Sequence, residues 1–258
     1  MSNNAPTNIS LTKKGSKEWT RLLGTSKNDS ASAATTGLDG SIYIAGFTYG
    51  DLDGQSNSDS NGPTFISKFN SDGSKDWTRL FGKYGSTVNA ATIGLDGSIY
   101  IAGENNGDLD GQTNSGGTDA FIIKVNPNGI KEWTRLLVGT DRDEARALTT
   151  GADGSIYIAG WTKSDLEGQT HSGGPRSNPN NYDAFISKIN QDGVKVWTRL
   201  LGSYGVFESA SAVTTGLDGS IYIAGFTHGD LDGQSNSGGP NGESRTDVFI
   251  SKFNQSGF

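Results

Sequence analysis

One short segment of this 258-residue chain places oxygen-bearing side chains at alternate positions, and it occurs four times. It reads Asp51-Leu52-Asp53-Gly54-Gln55-Ser56-Asn57 first, then Asp108 to Asn114, Asp165 to His171 and Asp230 to Asn236. Carboxylate, carboxylate and amide around a turn-forming glycine suit a hard cation, since calcium takes about six to eight oxygen ligands in flexible geometry. The candidate metal ligands are Asp51, Asp53, Asp108, Asp110, Gln112, Asp165, Glu167, Asp230 and Asp232. Asp119, Asp183 and Asp247, which open a later apolar run, can add a further carboxylate, whereas the first copy has Thr64 there. Calcium is the one cofactor the residues suggest. The competing reading is a plain acidic loop, because Asp and Asn also favour turns by bonding the local backbone, and the spacing is not that of an EF-hand. The third copy, with Glu167 and His171, departs most from the others.

The loops that follow these segments differ in length, with insertions over 173–182 and 239–245. Length variation on one side of a rigid scaffold marks a ligand-facing surface. Tyr84, Tyr182, Tyr204 and Trp161 are placed there as candidate ligand-stacking aromatics, suited to a glycan or a protein partner. Arg146 stands where the other copies have Ser32, Asn89 and Ser211, and is expected near Asp143 at a channel mouth. Catalysis has little support. The two histidines have no Ser and Asp at triad-like spacing, and there is no cysteine. The expectation is no enzyme, with a carboxylate-based glycan-active site as the least favoured alternative.

The elements that must carry these loops are legible in another repeat. Gly37-Leu38-Asp39-Gly40-Ser41-Ile42-Tyr43-Ile44-Ala45-Gly46 returns at 94–103, 151–160 and 216–225. Asp-Gly before an alternating run is a tight turn feeding a strand. Trp19, Trp77, Trp133 and Trp197 head a second repeated run, Trp-Thr-Arg-Leu, at 58, 56 and 64 residue intervals, a period proper to propellers and other arrays. Each period holds four strands: a small-residue run such as Ser30 to Thr36, the Ile-Tyr-Ile strand, a Phe-headed strand such as Phe65 to Asn70, and the Trp strand. Four antiparallel strands per repeat make a propeller blade.

The expected fold is therefore an all-β, four-bladed propeller over 15–258, behind a polar tail at 1–14. Its blades span about 30–82, 87–138, 144–202 and 209–258. The chain opens on a Trp strand at 17–24 and ends after a Phe strand at 249–254, so residues 17–24 are expected to complete the fourth blade and seal the ring. Strand A, the smallest in side chains, should line the axis, and the tryptophans should pack between blades.

Composition bounds the partners. A net charge of −7 and a pI near 4.8 argue against nucleic acid, which calls for basic surface. No run reaches the ~18 apolar residues of a membrane-spanning helix, and the N-terminus lacks the charged and apolar regions of a signal peptide. A monomer is the expected state. The run Asp-Ala-Phe-Ile-Ser-Lys-x-Asn-x-Asp-Gly at Asp183 to Gly193, followed by Trp-Thr-Arg-Leu-Leu-Gly and then Asp-Gly-Ser-Ile-Tyr-Ile-Ala-Gly, resembles the bacterial beta-propeller repeat family called SBBP. The resemblance covers nearly all the chain beyond the tail. It implies a propeller in a large bacterial surface or secreted protein, often beside calcium-binding modules, hence an extracellular setting, with no established chemistry of its own. The Asp-Leu-Asp-Gly-Gln segment departs from that family, whose members often place Phe-Pro there. The functional expectation is a binding, adhesion or scaffold module, with a purely structural repeat as the alternative.

Overall fold

A computed structural model describes residues 15–57, 62–81, 85–173, 181–238 and 245–257. Among these residues fifteen strands fall into four antiparallel sheets. The first sheet is β1 (Asp29–Thr36), β2 (Ile42–Thr48), β3 (Thr64–Phe69) and β4 (Lys75–Phe81). The second is β5 (Thr87–Ile93), β6 (Ile99–Asn105), β7 (Asp119–Val125) and β8 (Lys131–Leu137). The third is β9 (Asp143–Thr150), β10 (Ile156–Thr162), β11 (Asp183–Ile189) and β12 (Lys195–Leu201), and the fourth is β13 (Glu208–Thr215), β14 (Ile221–Thr227) and β15 (Asp247–Phe253). No helix occurs among the described residues.

The repeated Asp-Gly turn works as the sequence implies. Gly37 donates its N–H to Ser41 O at 2.7 Å, the Asp39 carboxylate accepts the N–H of Ser41 at 3.0 Å, and Gly40 takes φ 79°, a left-handed value costly to any residue with a Cβ.

Each first strand carries a bulge. Register breaks between Ala31 and Ala33, Val88 and Ala90, and Ala210 and Ala212, and the matching break in β9 leaves out Arg146. In the first two sheets the bulged residue is re-aimed at the next sheet. Thus Ser32 Oγ donates to Val88 O, and Asn89 Nδ2 donates to Ala145 O at 2.9 Å. Opposite each bulge stands a glycine, such as Gly160, whose Cβ would run into the carbonyl oxygen of Glu144.

The sheets follow one another in series, because β1 packs against β5, β5 against β9, and β9 against β13. Three apolar cores lie between successive sheets. The middle one joins Tyr100, Ala120 and Ile122 of the second sheet to Ile156, Ile158 and Phe185 of the third, all fully buried. The tryptophans bridge sheets as expected. Trp133 Nε1 donates to Gln191 O and Trp197 Nε1 to Gln255 O, both at 3.0 Å, each reaching the turn of the following sheet.

The expected closure by residues 17–24 is not seen among the described residues. The fourth sheet has three strands, and residues 17–24 form no ladder with β15. They lie on the first sheet instead, where Trp19 Nε1 donates to Ser71 O at 3.3 Å and Arg21 Nε to Gly73 O at 3.0 Å. Those two anchors hold the segment at that end, and β13 does not pack against β1 as the other first strands pack in series.

Candidate functional site

The acidic segments fold into miniature hairpins. Leu52 and Gln55 exchange N–H to O bonds at 3.1 and 3.0 Å, as do Leu109 with Gln112, Leu166 with Gln169 and Leu231 with Gln234. Asp53, Asp110, Glu167 and Asp232 take φ between 49° and 53°, and the glycines after them are also positive, so each tip is a two-residue turn of the type I′ hand. The leucine is the anchor: Leu52, Leu109, Leu166 and Leu231 are all buried.

Side chains of the hairpin then clasp its own sheet. The first acid of each copy turns inward on the loop: Asp51, Asp108, Asp165 and Asp230 accept the N–H of Asn57, Asn114, His171 and Asn236 at 2.8–2.9 Å. The second acid reaches the outer strand. Asp110 pairs with Lys131 at 2.5 Å and with Thr134, Asp53 pairs with Lys75 and Thr78, and Glu167 pairs with Lys195 of its own sheet and with Arg135 of the preceding one, both at 3.1 Å. Burial pushes the Asp53 and Asp110 carboxyls up, but their lysine and threonine partners outweigh it and hold both below the usual range. Gln112 closes the strand edge, giving Nε2–H to Thr134 O at 2.6 Å and accepting Leu136 N–H at 3.0 Å.

Among the described residues no group of three or more His, Cys, Asp or Glu side chains is placed to hold a metal ion. Asp119, Asp183 and Asp247 do not join the loop acids; each accepts the N–H of a loop serine, Ser115, Ser172 or Ser237, at 2.6–3.0 Å.

The structure instead brings together carboxylates on adjoining sheets. Asp119 opens β7 and Asp143 opens β9; both are fully buried, and each has one carboxylate oxygen without a partner. Their other oxygens accept Ser115 N–H and Gly139 N–H, and the Ser115 hydroxyl donates to Gly139 O. Burial raises Asp143 to about 8, with the negative charge of Asp119 adding to the effect, and burial raises Asp119 as well. One interface on, Asp183 of β11 and Glu208 of β13 are likewise buried, and burial lifts Glu208 to about 7; Ser172 holds both oxygens of Asp183, while one oxygen of Glu208 has no partner. At about 8, Asp143 keeps its proton near neutral pH. Sequence reasoning missed Asp143 and Glu208 as a pair of sites, although both immediately precede a small-residue strand, as Asp29 does.

The aromatic candidates divide. Trp161 is 5% exposed, edge-on to Tyr182 at 4.5 Å, which lies 4.5 Å from Phe207. These rings form loop packing, with Lys163 4.7 Å above Tyr182, so Trp161 offers no stacking surface. Tyr204 is 74% exposed. Tyr84 lies outside the described residues, as do 174–180 and 239–244 of the inserted loops. Arg146 pairs with Glu144 on its own strand at 3.1 Å, rather than with Asp143.

An all-β array of four repeated sheets is thus the class of protein on view. No protein-family model matches the chain. It is 31% identical over 215 residues to the Regulatory protein FlaEY of Caulobacter vibrioides, and 30% identical over 108 residues to the Uncharacterized WD repeat-containing protein L264 of Acanthamoeba polyphaga mimivirus. These matches take in 74% and 39% of the chain, which spans 21% and 8% of those two relatives. Among solved structures it is similar to an inactive H270A virginiamycin B lyase from Staphylococcus aureus (TM-score 0.46, 17% identity, 90% of this chain and 58% of that one). It is also similar to the Neurospora crassa Pan2 WD40 domain (TM-score 0.43, 11% identity, 86% and 62%). Likeness at that level carries no function across.

Proposed function

We propose that the chain is a non-catalytic binding or scaffold module of propeller type. In this reading its four sheets are blades, and a 17–24 segment supplies the fourth strand of the last one. The observation that carries the reading is the division of labour among the acids. Among the described residues Asp53, Asp110 and Glu167 are engaged by lysines, Asp51, Asp108, Asp165 and Asp230 by loop amides, and the Asp119, Asp143, Asp183 and Glu208 side chains are buried away from solvent. What reaches solvent is a loop surface on a rigid, multiply bonded frame, with Tyr204 prominent on it. A glycan or a protein is the partner class that such a surface suits. The resemblance to surface-protein repeats favours an extracellular setting, and calcium enters as a ligand of the exposed loop acids rather than of a preformed cage.

A glycan array probed with the wild-type chain and with Tyr204→Ala tests this. Binding above background that the substitution weakens about tenfold supports a loop-face site. No binding on the array, together with no protein captured on the loop face by cross-linking from Tyr204→Cys, leaves the purely structural repeat.

A further inference from the structure

Successive sheets meet at the hairpin end of the molecule through three equivalent positions. Between the third and fourth sheets these hold Trp161 of β10, Tyr182 before β11 and Phe207 before β13, with ring centroids 4.5 Å apart in each contact. The result is an aromatic plug. Between the second and third sheets the same positions hold Glu104 of β6, Thr118 before β7 and Arg142 before β9. The backbone bonding matches, since Asp143 N–H donates to Thr118 O at 2.7 Å as Glu208 N–H donates to Tyr182 O at 2.9 Å. Two neighbouring interfaces thus share a frame and differ in what fills its mouth.

Two further charges converge on the polar mouth. Glu144 stands where the other copies have Ser30, Thr87 and Ser209, and Arg146 where they have Ser32, Asn89 and Ser211. Glu144 accepts from Arg146 Nε at 3.1 Å and from Asn89 Nδ2 at 3.3 Å, while Arg142 Nε donates to Thr118 Oγ1 at 3.3 Å. Arg142 Nη2 stands 3.7 Å from Glu104 Oε2, beyond hydrogen-bond reach, and that oxygen is shut off from solvent without a partner. Burial raises the Glu104 carboxyl above its ordinary range and the charge of Glu144 adds to it, against Arg142, Thr118 and Arg146. The four charges form one cluster.

The fold does not call for them. Phe47, Trp161 and Phe226 stand in the other copies where Glu104 stands here, and a buried carboxylate oxygen with no donor loses its hydration without return. Residues that space and pin the sheets recur from copy to copy. Charges that break the repeat at four positions, yet meet at one place on the hairpin end, follow a different requirement, and such local conflicts concentrate at functional sites.

We propose that the mouth between the second and third sheets binds a neutral saccharide through Glu104, Arg142, Glu144 and Arg146. The proposal rests on the binding-module reading above and places its glycan here rather than around Tyr204. Two acids balance two arginines, so the site has no net charge with which to prefer an ionic ligand. What it offers is donors beside acceptors. A hydroxyl accepts from a guanidinium while donating to a carboxylate, and adjacent hydroxyls on a sugar ring do so twice. Arg142 and Arg146 are about half and one-third exposed, so the site opens to solvent through its donors. A small outward turn of Arg142 lets a hydroxyl oxygen bridge it to Glu104.

The test copies the neighbouring plug into this interface. A chain with Glu104→Trp, Thr118→Tyr and Arg142→Phe is compared with wild type, with Tyr204→Ala and with the milder Glu104→Gln and Arg146→Ser. The probes are an array of neutral gluco-, manno- and galacto-oligosaccharides beside uronate-bearing ones, followed by calorimetric titration of the best neutral binder. Wild type should bind a neutral oligosaccharide. The plug variant should melt no lower than wild type and bind none, Glu104→Gln and Arg146→Ser should each weaken binding about tenfold, and Tyr204→Ala should leave it unchanged. Binding that survives the plug variant, or that is confined to uronate-bearing glycans, overturns the proposal. If Tyr204→Ala weakens binding while the mouth variants do not, the mouth fails and the binding-module reading stands. No glycan bound, with no protein captured on the loop face, overturns both. A plug variant that melts well below wild type, with Glu104→Gln and Arg146→Ser binding as wild type does, shows that the charges serve the fold and likewise overturns the proposal.

Discussion

The indole of Trp133 lies on Gly193, so close that a Cβ there would stand 2.9 Å from Trp133 Cδ2. The same relationship joins Trp77 to Gly129, Trp197 to Gly257 and Trp19 to Gly73, and all four glycines take φ near 80°. One geometry thus fixes both the turn of a sheet and its distance from the sheet before it.

Two glycine substitutions separate those roles. Gly40 takes φ 79° with nothing near its absent Cβ, so Gly40→Ala pays only the backbone term, about 1 kcal/mol. Gly193→Ala adds displacement of the Trp133 ring, and a total loss of about 2–3 kcal/mol is expected from urea denaturation. Equal losses would show that the ring contact carries no weight.

The glutamine clasp is a second target. Gln112→Ala frees Leu136 N–H and Thr134 O on the edge of β8, and a loss of about 1–2 kcal/mol with faster aggregation on heating is expected. Gln112→Glu should recover little, since it accepts from Leu136 but gives nothing to Thr134. Thermal melts with light scattering read both.

Asp143 sets a pH dependence of unusual sign. Its folded value is raised to about 8 from an ordinary 3.8, so the folded chain holds a proton that the unfolded chain has lost between those limits. Stability contributed by this group is full below about pH 4, falls as pH rises toward 8, and is level above it, at no more than about 1.4 kcal/mol per pH unit. Glu208, raised to about 7, acts in the same direction over a narrower range. Asn imitates the protonated acid, so Asp143→Asn should flatten the melting temperature against pH between 5 and 8, and should stabilise the chain at pH 8. An unchanged slope would show that Asp143 is ionised when folded.

Asp110 works the other way. Its carboxyl lies below 3.8 because the Lys131 and Thr134 bonds outweigh burial, so its contribution is present above the ordinary value and lost on acidification below about pH 4. Asp110→Asn should cost about 1 kcal/mol at pH 7 and progressively less as pH falls below about 4, as measured by denaturant titration across that range.

Much of this molecule is written in its neighbouring residues. The fourfold period, the Asp-Gly turns and the alternation of Ile42 to Thr48 give all fifteen strands, because φ preferences and the period-two pleat act over a few positions. The Trp19 to Trp197 ladder was legible as packing between sheets for the same reason: a large ring repeated once per unit needs a repeated seat. The partner of an acid, by contrast, depends on what folding brings near it. Asp110 and Lys131 are 21 positions apart, and only the hairpin's docking through Leu109 makes them a pair rather than a calcium ligand and a surface cation. Asp119 meets Asp143, and Trp161 disappears beneath Tyr182, through contacts between sheets that no local pattern encodes. The placing of residues 17–24 belongs to that second class. They carry the Trp-Thr-Arg-Leu motif of the outer strands, but their seat on the first sheet, through Trp19 and Arg21, is decided by packing.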